Sequence, residues 1–532
     1  LHPLAQTPDK QYFNSEIYTM ASLQNDALFY LVKSLTKAEK RQFKLFAKAA
    51  QGVEDKKFVQ LFDVLDKMDD YDEDAIFERA PDIKRQQLSN LKRHLYRRVL
   101  ASLRSQYIAR NIDIEIREQI DYAKILYSKG LYHQSLRLLE RVKGIAKDAH
   151  QDILHFEIIE FEKLIESRHI TRSFDNRAEE LVEESRRRNE VVGLSSELSS
   201  LGLRLYGLYI KIGHVGNEKD AFMVREFWRA NMPKTSERKL TFFEKAYLYQ
   251  AYVWYHYILQ DFLQCYKYAR KWVELFERQP AMCRIDPDLY MRGINNLMAI
   301  LFYVGRSEQL ENCLLQLETF QQQYGQEWSS HSEASAFIYI YTAKINRHFM
   351  SGTFTDGLSL ILHVETGLRH YKRHLDDYRV MVFYYKIACL YFGSGDNGHA
   401  IDYLNRIINS SLGQLREDIQ CYARLLHLIA HYELGHYDLL EYLVKSVYRF
   451  LAKMKELNAV QSEVLHFLRT TIHKNPKALR PDFVRLKARL QSLAADPFER
   501  RSFLYLDILS WLESKIEGRS VQDVIREKAL RN

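Results

Sequence analysis

Three histidines and two basic runs are the residues of this chain whose types and spacing bear on chemistry. His427 and His431 stand four apart, so one face of a helix can offer both imidazoles to a metal, and His436 follows. A zincin motif needs a Glu between the pair, and a site needs three or four ligands. The intervening residues are Leu428, Ile429 and Ala430, and no Cys or Asp at metal-site spacing completes the set. Packed or rim histidines are the expectation, and no metal.

The segment from Lys84 to Arg110 holds eight basic residues and no acid, Lys92, Arg93 and Arg97 among them. Such a run can meet phosphates or an acidic protein surface. The plainer reading is a solvated helix face that pairs with the acidic stretch at 69–74. A second cluster, Arg369-His370-Tyr371-Lys372-Arg373-His374, could set Arg369, Lys372 and Arg373 on phosphates and stack a base on Tyr371. Asp376 and Asp377 beside it favour a surface helix end instead. Glu183 and Glu184 pair with Arg186, Arg187 and Arg188 at helical spacing. No phosphate loop, dinucleotide fingerprint, nucleophile elbow or kinase loop is present, so the expectation is a protein that is no enzyme and uses no cofactor.

The elements that must position these residues are helical. Gly (20) and Pro (9) are scarce for 532 residues, which implies long helices and short connections. The chain is too long for one globular core, so a repeat array or several domains follows. The 35 Tyr and 28 Phe supply flat side chains for gaps between packed helices. Charge is nearly balanced, 77 basic against 69 acidic residues, which permits an acidic partner without requiring one. Five scattered cysteines with no Cys-x-x-Cys predict reduced thiols and a cytoplasmic location. No run approaches the roughly 18–20 apolar residues of a membrane span, so no membrane association is expected. The first Met is Met20, and residues 1–19 are expected to be a disordered extension.

Residues 20–110 read as an N-terminal helical block. Thr36 to Glu39 is a capping box that opens a helix carrying Phe43, Leu45, Phe46 and Ala49. The next helix sets Phe58, Leu61, Phe62, Leu65 and Met68 on one side, and the basic helix has an apolar stripe of Leu88, Leu91, Leu95, Val99 and Leu103. A different pattern then recurs: a helix stop, an aromatic two residues on, a small residue three later. It is anchored at Gly130, Gly213, Gln260, Gly305, Gly352, Gly395 and Gly435. After a first gap of about twice the length, the anchors fall roughly 40–47 residues apart, a period suited to two-helix units. Gly is the residue that accepts a left-handed stop, and the small residue lets two backbones approach. The Gly395 unit has Ala388 and Tyr391 before the stop and Ala400, Leu404 and Ile407 after it.

This pattern resembles the tetratricopeptide repeat, whose second half reads Gly-x-Tyr-x-x-Ala. Gly130, Tyr132, Ser135, Leu139 and Val142 map onto it, as do Gly435, Tyr437, Leu440, Val444 and Val447. The resemblance implies an all-α, right-handed α-solenoid of stacked antiparallel helix hairpins over 111–455, with a helical cap at 456–532. It also implies a concave face that holds a protein segment. Tyr252, Tyr255, Tyr341, Tyr384 and Tyr391, from the first helix of their units, are the candidates to line that face. The function expected is a protein–protein interaction scaffold. The alternative is a nucleic-acid or ribonucleoprotein factor that uses 84–110 and 369–374. A third reading is a sensor in which the repeats bind a small peptide and the N-terminal helices relay the change.

Overall fold

The structure is a computed structural model that describes residues 27–49, 53–108, 111–169, 176–410, 417–454, 458–474, 478–496, 498–499, 502–503 and 506–531. The expectations for residues 1–19, Met20 and Arg110 fall outside them. The described residues are α-helical with short 3-10 turns and no strand. None of their helices is long and apolar enough to cross a membrane. The chain forms two compact units, residues 1–170 and 171–532.

In the first unit the helices are α1 (residues 27–34), α2 (Lys37–Ala49), α3 (Val53–Lys67), α4 (Glu73–Arg79), α5 (Arg85–Tyr107), α6 (Ile112–Ser128), α7 (Tyr132–Asp148) and α8 (Asp152–His169). The capping box forms: the Thr36 amide donates to Glu39 Oε2 at 2.7 Å and the Glu39 amide to Thr36 Oγ1 at 3.2 Å. One apolar core joins α1–α5 and takes in Phe43, Phe58, Leu61, Phe62, Leu88, Leu95 and Val99. The stripe read on α5 is its buried side. On α2 the burial differs from expectation. Phe43 and Ala47 are buried, while Leu45 and Phe46 are exposed, because the core-facing side of this single helix is set by the four-residue step from 43 to 47. Helices α6–α8 form a second, smaller core around Ile116, Ile120, Leu139 and Ile158.

The second unit contains α9 (Arg177–Ile212), α10 (Glu218–Asn231), α11 (Phe242–Ile258), α12 (Phe262–Glu277), α13 (Ala281–Ile285), α14 (Pro287–Tyr303), α15 (Ser307–Tyr324), α16 (Ser330–Ser351) and α17 (Phe354–Gly357). It continues with α18 (Ile361–His370), α19 (Asp377–Ser394), α20 (Asn397–Ile408), α21 (Glu417–Glu433), α22 (Tyr437–Met454), α23 (Ala459–Thr471), α24 (Arg480–Ala494), α25 (Ile508–Glu517) and α26 (Val521–Arg531). Most helices pack on their sequence neighbours: α11 on α12, α14 on α15, α19 on α20 and α21 on α22. The helices that precede the stops also pack on each other, α9 on α11, α14 on α16 and α16 on α19.

All seven anchor residues have positive φ, from 60° at Gln260 to 92° at Gly395. At six of them the next amide donates to the carbonyl five residues back, at 2.9–3.1 Å, which closes the helix with a 6→1 bond: Leu131 to Leu126, Asp261 to His256, Arg306 to Leu301, Thr353 to His348, Asp396 to Tyr391 and His436 to His431. Gly213 departs from this. Its ψ of −142° lies outside the left-handed helical region and turns the chain towards α10. Gln260 takes a conformation costing a non-glycine residue about 1–2 kcal/mol, and its side-chain amide donates to Val215 O at 3.2 Å. His150 and Gly518 close helices in the same way without having been expected to. His150 lies inside the long first gap and ends α7.

Five residues past five of the seven stops the chain is fully buried: Ser135, Cys265, Leu310, Ala400 and Leu440 have no exposed surface, whereas Glu218, five past Gly213, is exposed. Ser135 Oγ donates to Ala123 O at 2.8 Å, and Cys265 Sγ reaches Val253 O at 3.5 Å, each spanning twelve residues. The same contact therefore recurs in two repeats of the pattern, with different side-chain chemistry.

Pro481 sits in the first turn of α24, and the Ser520 hydroxyl caps α26 by accepting from the Asp523 amide at 3.1 Å. Helix α26 packs on α16 and α19, far upstream in sequence. Its backbone lies so close to Gly352 that a Cβ there would be 2.4 Å from the Arg526 amide nitrogen. Thr355 donates from its amide and hydroxyl to Gln522 Oε1 at 3.2 and 3.0 Å.

Candidate binding groove

Two cavities in the second unit run into each other. Among the described residues the wider, about 670 Å³, is walled by α9, α11, α14, α16 and α19. Each of these helices ends at an anchor residue. The deeper, about 480 Å³, draws mainly on the same helices and is closed by α17, α21, α26 and the segment before α25. Tyr209, Tyr257, Ala299, Thr342, Tyr378 and Val382 line both, so the two form one groove.

The register of the groove follows from the stops. Counting back three, six, ten and thirteen residues gives one stripe of a helix. On α11 these positions are Tyr257, Trp254, Gln250 and Tyr247; on α14 Phe302, Ala299, Asn295 and Arg292. On α16 they are Phe349, Asn346, Thr342 and Tyr339; on α19 Phe392, Cys389, Tyr385 and Val382. All sixteen line the groove. The position three before the stop is aromatic in all four helices.

Charged groups on this surface are few. Arg292 is exposed in the wider part and has no ion pair among the described residues, while Arg379 lies 3.5 Å from Asp376. Asp288 Oδ1 is buried there without a hydrogen-bond partner. In the deeper part Lys386 Nζ donates to Asn346 Oδ1 at 2.6 Å. The ammonium lies 5.8 Å from the centre of the Phe302 ring and 5.5 Å from that of Phe349. Burial without a carboxylate partner draws the Lys386 amine down to about 8. Burial pushes the neighbouring Cys389 thiol up to about 12, so it is no nucleophile at neutral pH. Asp507 also lines this end, but its carboxylate accepts from the Ser510 amide and hydroxyl at 3.0 and 2.6 Å.

No family model and no curated protein matches the chain.

The five tyrosines expected on the concave face lie off the groove stripe. Tyr252 stacks on Tyr268 of α12 with ring centres 4.0 Å apart, and Tyr255 stacks on Trp228 of α10 at 4.4 Å. Tyr341 packs against Phe337. Tyr384 and Tyr391 meet Tyr403 of α20, and Tyr391 also stacks on His399. These residues fill the space between a helix and its neighbours. Choosing tyrosines by type missed the groove; counting back from the stops would have found it.

The basic candidates divide. Lys92 is nearly buried, bonds Glu73 at 3.0 Å and Tyr71 Oη, and sits over the Tyr71 ring. Arg85 pairs with Asp74 at 2.6 Å. The acidic stretch thus takes up part of the basic helix. Arg93 and Arg97 are exposed, with no ion pair among the described residues. Arg369, Lys372 and Arg373 are exposed at the end of α18. Tyr371 is partly buried against Phe337, at 5.4 Å, which takes one ring face from any base.

The three histidines do meet, as a chain. His431 Nε2 lies 3.3 Å from His427 Nε2 and His431 Nδ1 lies 2.9 Å from His436 Nδ1. The middle ring commits its two nitrogens to different neighbours, so one ion cannot draw on all three. Among the described residues no group of three or more His, Cys, Asp or Glu could hold a metal.

Proposed function

We propose that this chain is a non-enzymatic interaction scaffold of the cytoplasm. Its second unit is a right-handed solenoid similar to tetratricopeptide-repeat proteins, and it holds an extended protein segment along the groove. One observation carries this reading: among the described residues the wider cavity is walled by the five helices that end at successive stops from Gly213 to Gly395, and on four of them the same stripe, counted from the stop, lines the groove. Repetition of a stripe makes a surface that is long in one direction, which suits a chain better than a compact substrate. The unpartnered Asp288 Oδ1 supports it, because an extended segment brings backbone N–H donors to such an oxygen.

The test is site-specific photocrosslinking in the native cell. A photoreactive phenylalanine at Tyr339, on the groove wall, is expected to give a discrete protein adduct. The same group at Tyr341, off the stripe, is expected to give none. Equal adducts from both positions, or none from Tyr339, would sink the proposal. The exposed and unpaired Arg93 and Arg97 favour nucleic acid as a second reading, taken up below.

A further inference from the structure

The deeper part of the groove carries a cation against aromatic walls. Lys386 is the cation at its wall, and among the described residues no carboxylate pairs with it. The carboxylate on this wall, Asp507, caps α25 through Ser510. Asn346 is almost fully buried and gives its carbonyl oxygen to Lys386, which leaves its amide as a donor beside the ammonium. Around this pair stand Phe302, Phe349 and Phe392. A charge enclosed by apolar walls is costly unless an opposite charge accompanies it, and two adjacent donors match the two oxygens of a carboxylate. The volume, about 480 Å³, is that of a site for a side chain or a small acid. The cavity opens along six shared residues into the wider groove, so a segment held there can reach it.

We infer that the deeper cavity takes a carboxylate carried next to a large apolar side chain on the partner segment, with the carboxylate between Lys386 Nζ and the Asn346 amide. This rests on the reading of the groove as a segment-binding surface, and it adds the chemistry of the segment.

The experiment selects binders to the whole chain from a phage-displayed library of random peptides, then measures the selected peptides by titration calorimetry. Binders are expected to share an Asp or Glu beside Phe, Leu, Ile or Met. Lys386→Met keeps the bulk of the side chain and removes the charge. It should weaken these peptides about tenfold or more, while Lys386→Arg retains part of the affinity. A second readout separates ion pairing from packing. An amine that titrates near pH 8 when free is held protonated by a bound carboxylate, so binding at pH 8.5 should take up protons from the buffer. Lys386→Met should abolish that uptake. Melting curves of both variants establish folding.

Selected peptides with no shared acid, bound equally by Lys386→Met, would overturn the inference and leave the groove reading intact, provided that Asn295→Trp, which fills the wider cavity, abolishes their binding. Failure to select any peptide sensitive to Asn295→Trp would overturn both.

Discussion

At the scale of single residues, chemistry that looked available in the sequence is largely spent on structure. Lys92 is the clearest case. It was grouped with Arg93 and Arg97 as a phosphate contact, yet its ammonium holds Glu73 and Tyr71 in place, and the Lys92 contacts hold the Glu73 carboxyl below its ordinary range. Lys92→Gln should therefore lower stability by about 1 kcal/mol, whereas Arg93→Gln should leave it within about 0.5 kcal/mol. Equal denaturation midpoints for the two would contradict this. The histidine chain makes a second prediction. Burial, with His431 and Arg424 nearby, lowers His427 from 6.5 to about 4, and His431 is lowered as well. The folded state thus binds fewer protons than the unfolded one. The stability contributed is complete above pH 6.5 and is lost as pH falls from there to the folded value, by about 3 kcal/mol for His427 alone. Denaturant melts between pH 7 and pH 4.5 should show a steeper loss for the natural chain than for His427→Gln. Parallel profiles would mean that His427 does not stay neutral in the fold.

At the scale of elements, the stops were legible and the faces were not. A glycine before a turn identifies itself, because few other residues accept positive φ, and all seven anchors have it. Gln260 was found by the pattern that follows it, Phe262 and then Cys265. Which face of each helix points to the groove depends on the rotation of the helix against its neighbours, and the abundant tyrosines mark both the groove and the packed sides. The stripe becomes visible only when the stop is used as the origin for counting. The exposed Leu45 and Phe46 on α2 make the same point, since apolar type does not identify the buried side of a short helix. Two stops that look alike in sequence should respond differently to substitution. A Cβ on Gly395 meets nothing within 4 Å, so Gly395→Ala carries only the cost of φ 92°, about 1 kcal/mol. At Gly352 the Cβ would also collide with the backbone of α26, so Gly352→Ala should lower the melting temperature distinctly more. Ala400→Leu, at a position with no exposed surface, should cost about 1–3 kcal/mol by overpacking. Equal melting shifts for Gly352→Ala and Gly395→Ala would indicate that the approach of α26 is not tight.

At the scale of the whole molecule, the two basic candidates lie in different units, Arg93 and Arg97 in the first and Arg369, Lys372 and Arg373 in the second. Each can be tested by itself. If Arg93 and Arg97 contact phosphates, changing both to Gln should reduce the salt slope of nucleic-acid binding by about two contacts' worth, roughly 1.4–1.8. The Tyr339 crosslink should persist in that variant. Tight binding of nucleic acid at physiological salt, abolished together with the crosslink, would make the second reading the better one. The return of α26 to α16 and α19 has a consequence for how the second unit comes into being. A row of helices that touch only their neighbours can settle one after another as the chain leaves the ribosome, and it frays from its ends. Here Val521 and Ile525 supply wall to a cavity whose other residues begin at Tyr209. The deeper cavity therefore stays breached until α26, more than three hundred residues after Tyr209, has been made. In hydrogen exchange the amides of α26 should be protected along with those of α16, not released early as a loose end would be.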